Sequence, residues 1–172
     1  MKANPLDPRP RDSSRKRALK PLRVLAVVDG TERTNRVGEQ VITIAQGRDR
    51  TEVVILNVQT KRDDARLRGY QTFRQKDVDD RLLNDVGAPI VNTVSRWLDQ
   101  VDIQNLTRVK IGDPVASIIR CAKEDHCDVI IVADARPGKV QRWLVEATGV
   151  SLRSSVAAQL VMLASMPVMI VR

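Results

Sequence analysis

Residues 22–59 read LRVLAVVDGTERTNRVGEQVITIAQGRDRTEVVILNVQ, and this stretch decides the class of fold. Its two ends are short apolar runs rich in β-branched residues, which is typical of strands buried on both faces. Between them, residues 34–46 carry apolar side chains at helical spacing, and Thr34 or Asn35 can cap that helix. A strand, a helix and a second strand in succession predict a right-handed crossover and a parallel sheet.

The rest of the chain continues the alternation of strands and helices. Residues 60–76 are polar and predict a loop, and residues 77–100 form a helical pattern that Pro89 should kink or split. Asp113 and Pro114 are typical of the cap and the first position of a further helix. We therefore predict an open, doubly wound α/β sheet. The later predicted elements are a strand at 104–112, a helix at 113–126, a strand at 128–132, a helix at 155–165 and a strand at 167–172.

Basic residues are concentrated at the amino terminus. The 172 residues carry a net charge of +8, and residues 1–20 contribute seven Lys or Arg against two Asp, which leaves +3 for the remainder. Prolines and few apolar residues predict that this arm is disordered and solvated. Contact with nucleic acid or anionic lipid is the alternative. Because the arm has no aromatic side chain to stack on bases, nucleic acid is not an expected partner.

Few side chains suit catalysis or metal binding. Cys121 and Cys127 are the only cysteines, and His126 is the only histidine. Two cysteines without a set of metal-binding neighbours fit a reducing compartment, so we expect a cytoplasmic protein with two buried thiols and no metal. The longest uncharged run, 154–171, includes serines, a glutamine and a proline. It predicts a helix followed by a strand rather than a membrane span.

Three stretches together resemble the universal stress protein family: VLAVVDGTE at 24–32, IGDPVASIIRCAKEDHCDVIIVAD at 111–134 and SSVAAQLVMLASMPVMIV at 154–171. The first resembles the family's opening strand, which ends in Asp-Gly-Ser/Thr. The second resembles its Gly-x-Pro turn, helix and strand, and the third its Gly-Ser-Val-Ala ending closed by Pro-Val. The resemblance implies one domain at 21–172 with a Rossmann-like, five-stranded parallel sheet in the order 3-2-1-4-5, with helices on both faces.

ATP-binding members of this family have a phosphate loop similar to the motif Gly-x-x-Gly, then nine residues, then Gly-Ser/Thr. Glycines suit this loop because backbone amides must approach phosphate oxygens closely. Matched to that motif, Ala133 and Arg136 stand at the first two glycines, Ser154 at the third and Ser155 at the hydroxyl position. Only Ser155 fits, and seventeen residues separate Arg136 from Ser154. The resemblance therefore implies a former nucleotide site that has lost its glycines and gained an insertion.

The inserted residues have a helical pattern of their own. Val140, Trp143, Leu144 and Ala147 are spaced as on one face of a short amphipathic helix at about 138–148. Such a helix can cover the crevice where ligands bind in open α/β folds. Packing against the neighbouring helix is the slightly favoured alternative.

Other positions of the remnant nucleotide site are retained. The resemblance places Asp29 near the adenosine, with Gly30 and Thr31 in the same turn, Val58 beside the adenine and Gly112 in the Gly-x-Pro turn. Asp29 also suits the role of a turn and cap residue, and we expect it to serve both roles.

We therefore expect a non-catalytic regulator of a stress response that lacks the family's usual ATP binding and needs no cofactor. The alternative is a member that binds ATP or AMP through an altered loop. A hydrolase is expected least, because His126 falls at the end of a surface helix and completes no Ser-His-Asp set. Weak ATPase activity stays open.

The last predicted strand, 167–172, is apolar and lies at an edge of the sheet, where unpaired backbone groups invite pairing. In the resembled family the fifth strands of two subunits pair antiparallel, which implies a self-complementary homodimer. Replacing Met169 with proline is expected to remove one donor from the interface ladder and to weaken that dimer.

Overall fold

A computed structural model describes four segments of the chain: residues 20–48, 50–60, 75–134 and 155–172. Within these segments, strands and helices alternate as the sequence predicts. In chain order the elements are β1 (Leu22–Val27), α1 (Arg33–Gln46), β2 (Thr51–Gln59), α2 (Gln75–Arg81), a π-helical turn (Leu82–Gly87), α3 (Ala88–Gln100), β3 (Gln104–Ile111), α4 (Pro114–Glu124), β4 (Val129–Ala133), α5 (Val156–Leu163) and β5 (Val168–Val171).

The strands form one parallel sheet in the order β3-β2-β1-β4-β5. On one side of β1, Leu22 lies opposite Thr51 of β2. On the other side, Val24 lies opposite Val129 of β4. The predicted fold class and strand order are confirmed. Because the order reverses between β1 and β4, the carboxyl ends of these two strands are where an open α/β sheet receives ligands.

Two aliphatic cores cover the two faces of the sheet. Successive residues of β1 alternate between them, as the pleat requires. Val24 packs into the core that α1 and α3 close with Val41 and Leu98. Leu25 packs into the core that α4 and α5 close with residues such as Leu160. The helices on both faces are therefore held mainly by burial of Val, Ile, Leu and Ala side chains.

Helix α1 begins at Arg33, and none of its own side chains caps it. Thr34 and Asn35, the expected caps, lie inside the helix, so that prediction was wrong. The buried Thr34 hydroxyl instead accepts hydrogen bonds from the backbone N–H groups of Asp29 (3.3 Å) and Gly30 (3.0 Å). Thr34 therefore faces back into the turn after β1 and ties that turn to the helix.

The long helix is interrupted just before Pro89. The Ala88 N–H donates to the carbonyl of Leu83, five residues earlier, which is π-helical spacing. Proline has no N–H, so Pro89 cannot donate to the carbonyl of Asp85 in α-helical spacing. The predicted interruption is therefore present as a wider helical turn between α2 and α3.

Strand β5 is the edge strand next to β4. Its Pro167 and Val171 carbonyls accept hydrogen bonds from the N–H groups of Ile130 (3.0 Å) and Asp134 (2.9 Å). In a parallel ladder every second residue bonds to the same neighbouring strand. Met169 lies midway between Pro167 and Val171, so its peptide groups also face β4.

The same alternation turns the N–H and C=O groups of Val168 and Ile170 toward the free edge of β5. Proline at Met169 would therefore break the β4–β5 ladder inside one subunit. The expectation that Met169→Pro tests the dimer was wrong, because side-chain alternation tells which face a residue occupies and not which edge its peptide bonds. Val168 and Ile170 are the positions whose N–H groups face the free edge.

Three parts of the predicted organisation lie wholly or mostly outside the described residues: the helix at about 138–148, the basic arm up to residue 19 and the loop at 60–76. Of that loop, residues 61–74 are outside the described segments, and its last two residues begin α2 instead. Lys20, the last residue of the arm, pairs with Asp128 at 3.4 Å. No helix in the described segments is long and apolar enough to cross a membrane. From Ser155 onward, the uncharged run forms α5 and β5 as predicted.

Candidate functional site

The carboxyl ends of four parallel strands gather the described residues of the predicted site. Asp29 follows β1, Val58 lies near the end of β2, Gly112 follows β3 and Ala133 ends β4. Ser155 stands at the start of α5, the next helix after β4 among the described residues. Arg136 and Ser154, the other two predicted positions, lie outside the described residues.

The Asp29 carboxylate is enclosed by the turn that follows it. Its Oδ1 atom accepts hydrogen bonds from the Thr31 N–H (3.0 Å), the Thr31 hydroxyl (2.7 Å) and the Thr34 hydroxyl (3.3 Å). Its Oδ2 atom accepts from the Arg33 guanidinium at 2.8 Å. The predicted role of Asp29 as a turn residue is confirmed. Its predicted role as a helix cap was wrong, because Glu32 holds the cap position of α1.

Asp29 carries its negative charge at neutral pH. Partial burial acts to raise the pKa of Asp29, but the hydrogen bonds from Thr31 and the nearby Arg33 outweigh it, so the pKa lies below its ordinary value. The Asp29 side chain is 45% exposed and the Arg33 side chain 33% exposed. The carboxylate is thus ionised, reachable from solvent and already neutralised by its own chain.

Gly30 brings the turn against helix α3. Its φ is +77°, a conformation that favours glycine, and a Cβ built on it would lie 2.7 Å from Ile90 Cδ1. A side chain there would push the turn away from α3. Gly30 therefore sets the position of Asp29 and Thr31 without offering a side chain of its own.

Val58 is half-buried and packs against the core beneath α4 and α5. Its neighbour Asn57 is 2% exposed and holds the strand ends together. The Asn57 Nδ2 donates to the Val28 carbonyl at 2.7 Å, and its Oδ1 accepts from Gln59 Nε2. Asn57 thereby couples the end of β1 to the end of β2 on which any ligand beside Val58 would rest.

Gly112 links the end of β3 to the end of β2. Its N–H donates to the Gln59 carbonyl at 2.9 Å, and its φ of +147° favours glycine. The next residue, Asp113, caps α4 by accepting from the Ala116 N–H at 2.8 Å, as predicted. The Gly-x-Pro turn therefore closes the site along the β3 side.

The β4 side of the site differs from a phosphate-binding loop. Ala133 is still a strand residue, paired with Val171 of β5. The next N–H, that of Asp134, donates to the Val171 carbonyl at 2.9 Å. The Ser155 hydroxyl caps α5 by accepting from the Ala158 N–H at 3.2 Å. The Asp134 N–H, the first amide after β4, is therefore engaged in the sheet where that loop would begin.

Two cavities lie at the opposite edge of the sheet, at the amino ends of the strands. One, of about 290 Å³, is lined by residues that include Arg23 and Glu52. The other, of about 510 Å³, is lined by residues that include Arg50 and Thr51. Neither touches Asp29, so these two cavities and the strand-end geometry point to different places. The converging backbone groups and the ionised Asp29 carboxylate lie at the strand ends, and these ends form the candidate site.

These strand ends belong to a recognised domain: the universal stress protein family model matches residues 22–172. The chain belongs to the universal stress protein family. No curated protein matches it significantly.

Solved structures of other universal stress proteins share the fold. UspA of Lactobacillus plantarum is 21% identical, with 89% of this chain and 99% of that chain covered and a TM-score of 0.62. A family member from Arabidopsis thaliana with AMP bound is 18% identical, with 88% and 91% covered and a TM-score of 0.52. A universal stress protein in complex with cAMP is 17% identical, with 88% and 97% covered and a TM-score of 0.59. At these identities the likeness shows the fold alone.

Sequence reasoning missed three residues of this universal stress protein's site: Arg33, Thr34 as a turn residue, and Asn57. Arg33 stands four residues after Asp29, the spacing at which side chains meet around a helical turn, so a signal for it was present. Asn57 is a lone polar residue inside an apolar strand. Such a residue needs a buried partner, but the sequence does not name the partner.

Proposed function

We propose that this universal stress protein is a non-catalytic regulator that does not bind ATP in the family's usual way and works without a cofactor. The observation that carries the proposal is the backbone at the end of β4. Ala133 is paired within the sheet, and the Asp134 N–H donates to the Val171 carbonyl. An amide used in the ladder is not free to bind a phosphate oxygen.

Ser155 supports the same proposal. Its hydroxyl oxygen is engaged with the Ala158 N–H as the cap of α5. Because its oxygen is engaged in the cap, Ser155 can offer a phosphate only its hydroxyl proton. One such hydrogen bond contributes much less binding free energy than several backbone amides together. The residues at this end of the site therefore suit helix capping better than phosphate binding.

The position of the only histidine argues against a hydrolase. His126 lies in the turn after α4, directly before β4, and so at the amino edge of the sheet. Asp29 and Ser155 lie at the carboxyl edge. A nucleophile, a base and an orienting carboxylate must be within hydrogen-bond reach of one another, and these three residues stand at opposite edges of the sheet.

A member that binds ATP or AMP is the second candidate. Asp29, Gly112 and Ser155 lie at the same edge of the sheet, and Asp29 is ionised and partly exposed. Relatives with AMP and cAMP bound have the same fold. In this second candidate, the residues that contact the nucleoside are kept, and groups other than the usual glycine amides hold the phosphates.

The proposed regulator is a cytoplasmic homodimer joined through residues 167–172. Strand β5 offers an edge with outward-facing peptide groups at Val168 and Ile170. Met169 and Ile170 are 36% and 37% exposed, and Met162 on the adjacent helix α5 is 81% exposed. An apolar edge with unpaired backbone groups favours pairing with a second copy of the chain.

Titration calorimetry of the purified full chain with Mg-ATP tests the nucleotide part of the proposal. We expect no tight binding and no adenine absorbance from the denatured, deproteinised protein. Stoichiometric binding at low micromolar affinity would overturn the proposal in favour of the second candidate. In that case Asp29→Ala should weaken binding, and Asp102→Asn, in an exposed turn at the amino edge of the sheet, should leave it unchanged.

A further inference from the structure

The larger cavity at the amino edge of the sheet lies between the carboxyl ends of two helices. Its volume is about 510 Å³, within the range of about 300–1,000 Å³ that is typical of small-molecule sites. Gln46 and Arg48 line it on the α1 side, and Val101 and Asp102 line it on the α3 side. Thr51, the first residue of β2, also lines it. The cavity is therefore bounded by the end of α1, the start of β2 and the turn between α3 and β3.

Thr51 gives this cavity a buried hydroxyl group that has no described partner. The residue is 8% exposed, and its hydroxyl oxygen makes no hydrogen bond within the described segments. Side chains alternate along a strand, so Thr51 is on the same face of β2 as Val53 and Ile55, which pack beneath α1 and α3. Its side chain therefore points to the space between those helices. Because a buried polar group without a partner is unfavourable, a ligand that reaches Thr51 gains by supplying one.

The other polar side chains of the larger cavity are also unused. Within the described segments, no hydrogen bond or ion pair involves the side chains of Gln46, Arg48, Arg50, Asp102 or Gln104. The smaller cavity differs, because its Arg23 donates to Glu52 at 2.7 Å and its Asp125 accepts from Arg108 at 3.1 Å. Polar groups that are available to a ligand are therefore concentrated in the larger cavity.

The charges of this cavity are separated rather than paired. Arg48 and Arg50 flank the connection from α1 to β2, Asp102 lies in the turn after α3, and no ion pair joins these three described residues. The carboxyl ends of α1 and α3 each add about half a negative charge. Because two guanidinium groups, one carboxylate and two helix ends nearly cancel, an ion of a single sign gains little net attraction. A ligand with one positive and one negative group matches this arrangement.

We propose that this cavity binds a zwitterionic α-amino acid with an apolar side chain. Arg48 and Arg50 bind the carboxylate, because the planar guanidinium group matches the geometry of carboxylate oxygens. Asp102, on the other side of the cavity, attracts the ammonium group. The Thr51 hydroxyl gains the hydrogen-bond partner that it lacks in the unliganded chain.

An apolar side chain on the ligand is favoured by the rest of the lining. Ile42 and Ala45 of α1 and Ile103 before β3 are half-buried, and Val101 is 47% exposed. Covering these side chains removes apolar surface from water. The cavity lies at the opposite edge of the sheet from Asp29, so this inference goes beyond the proposed function and does not depend on how the chain treats nucleotides.

A ligand-observed NMR titration of the full-length protein tests the charges with three probes that share one apolar end. L-Leucine carries both charged groups, 4-methylpentanoate lacks the ammonium group, and 3-methylbutylamine lacks the carboxylate. Because each charged contact at a partly exposed site changes an equilibrium constant by up to about fivefold, L-leucine should bind several-fold more tightly than either analogue.

Thr51→Val tests the buried hydroxyl, because valine has nearly the same shape and lacks that group. Removing an unpartnered polar group should raise the melting temperature of the unliganded protein, whereas L-leucine binding should weaken by about fivefold. Thr43→Val is the matched control. The Thr43 hydroxyl donates to the Glu39 carbonyl within α1 and Thr43 does not line the cavity, so this variant should bind L-leucine as the wild type does.

Arg50→Gln tests the contact with the carboxylate. It should weaken binding of L-leucine and 4-methylpentanoate to the same extent and should not weaken binding of 3-methylbutylamine. Arg36→Gln is the matched control, because Arg36 is an exposed arginine of α1 that does not line the cavity.

A preference for L-leucine over both analogues that Arg50→Gln and Thr51→Val each weaken is the expected result. The inference is overturned if L-leucine does not bind at millimolar concentration, or if either analogue binds equally well or more tightly. Unchanged L-leucine binding by Thr51→Val also overturns it, and would mean that water satisfies the buried hydroxyl. The Mg-ATP titration is a separate measurement that decides only the proposed function.

Discussion

The Asp125 carboxylate shows how burial and hydrogen bonding compete at a single residue. It lies in the turn after α4, where Oδ1 accepts from Arg108 Nη2 at 3.1 Å and Oδ2 accepts from the Cys121 thiol at 3.4 Å. Burial acts to raise the pKa of Asp125, but the hydrogen bonds from Arg108 and Cys121 outweigh it, so the pKa lies below its ordinary value. Burial also raises the pKa of Cys121 to about 12, so this thiol stays protonated and donates.

Asp125 should stabilise the folded chain at neutral pH and lose that effect in acid. Because its pKa is lowered on folding, the contribution is present above the pKa of the unfolded chain and disappears as pH falls through the folded pKa. Asp125→Asn should lower the free energy of unfolding by about 1–2 kcal/mol near pH 7. This value is small for a charged hydrogen bond because Arg108 is partly exposed to solvent. Urea unfolding between pH 7 and strongly acidic pH should show that gap close.

Asp102→Asn is the control for that series. Asp102 is exposed and has a φ of +56°, which asparagine also adopts readily. It should leave the free energy of unfolding nearly unchanged throughout. A gap between wild type and Asp125→Asn that stays constant with pH would contradict the role given to the Asp125 charge.

At the scale of elements, the π-helical turn Leu82–Gly87 is the feature that most depends on close packing. Gly87 lies against Val109 of β3 and Asn57 of β2, and a Cβ there would overlap Val109 Cγ1 and come within 3.2 Å of Asn57 Oδ1. The helix can approach the sheet this closely only because residue 87 has no side chain. The same approach places helix α3 beside Gly30 and the Asp29 turn.

Gly87→Ala and Gly38→Ala should therefore have opposite effects. The first forces a methyl group into Val109 and should lower the free energy of unfolding by about 1–3 kcal/mol. The second replaces a glycine inside α1 whose new Cβ would meet Trp97 at 3.4 Å, an ordinary contact. Gly38→Ala should be neutral or stabilising by up to about 1 kcal/mol, because alanine favours helix. Chemical denaturation measures both, and equal effects would contradict the packing described for the π-helical turn.

At the scale of the whole molecule, the open edge of β5 is the feature through which two chains can join. The strand is only four residues long, so in the proposed homodimer each backbone hydrogen bond across the two-fold axis would matter. Exposed apolar side chains of α5, Val161, Met162 and Leu163, adjoin the edge in sequence. Together they form a surface that a second copy of the chain would cover.

Ile170→Pro should dissociate the proposed dimer while leaving the subunit folded, because the lost N–H points to the free edge. Met169→Pro should instead lower the melting temperature, because it breaks the β4–β5 ladder within the subunit. Sedimentation velocity and thermal melting separate the two variants. A wild type that sediments at micromolar concentration as a 19.2 kDa monomer would contradict the homodimer.

Sequence alone predicted the parts of this protein that depend on neighbouring residues. Asp113 was identified as a helix cap, the last helix was predicted to start at Ser155, one residue before its first residue in the structure, and the five strands were found. Caps and hydrophobic periodicity are encoded within a few positions of the sequence. The strand order 3-2-1-4-5 followed from the family resemblance and is confirmed. Membership of the family, shown over residues 22–172, could also be predicted from short stretches of sequence, because the family's motifs lie at the ends of these elements.

The tertiary structure alone decided which groups meet. Asn57 bonds to the Val28 carbonyl across two strands, and Arg33 turns back onto Asp29. The direction of the β5 peptide groups follows from hydrogen-bond register with β4, which the two-residue period of side chains does not specify. Local patterns determine elements and faces, whereas partners and edges depend on how distant segments align, and that alignment is settled only when the sheet and its two cores pack together.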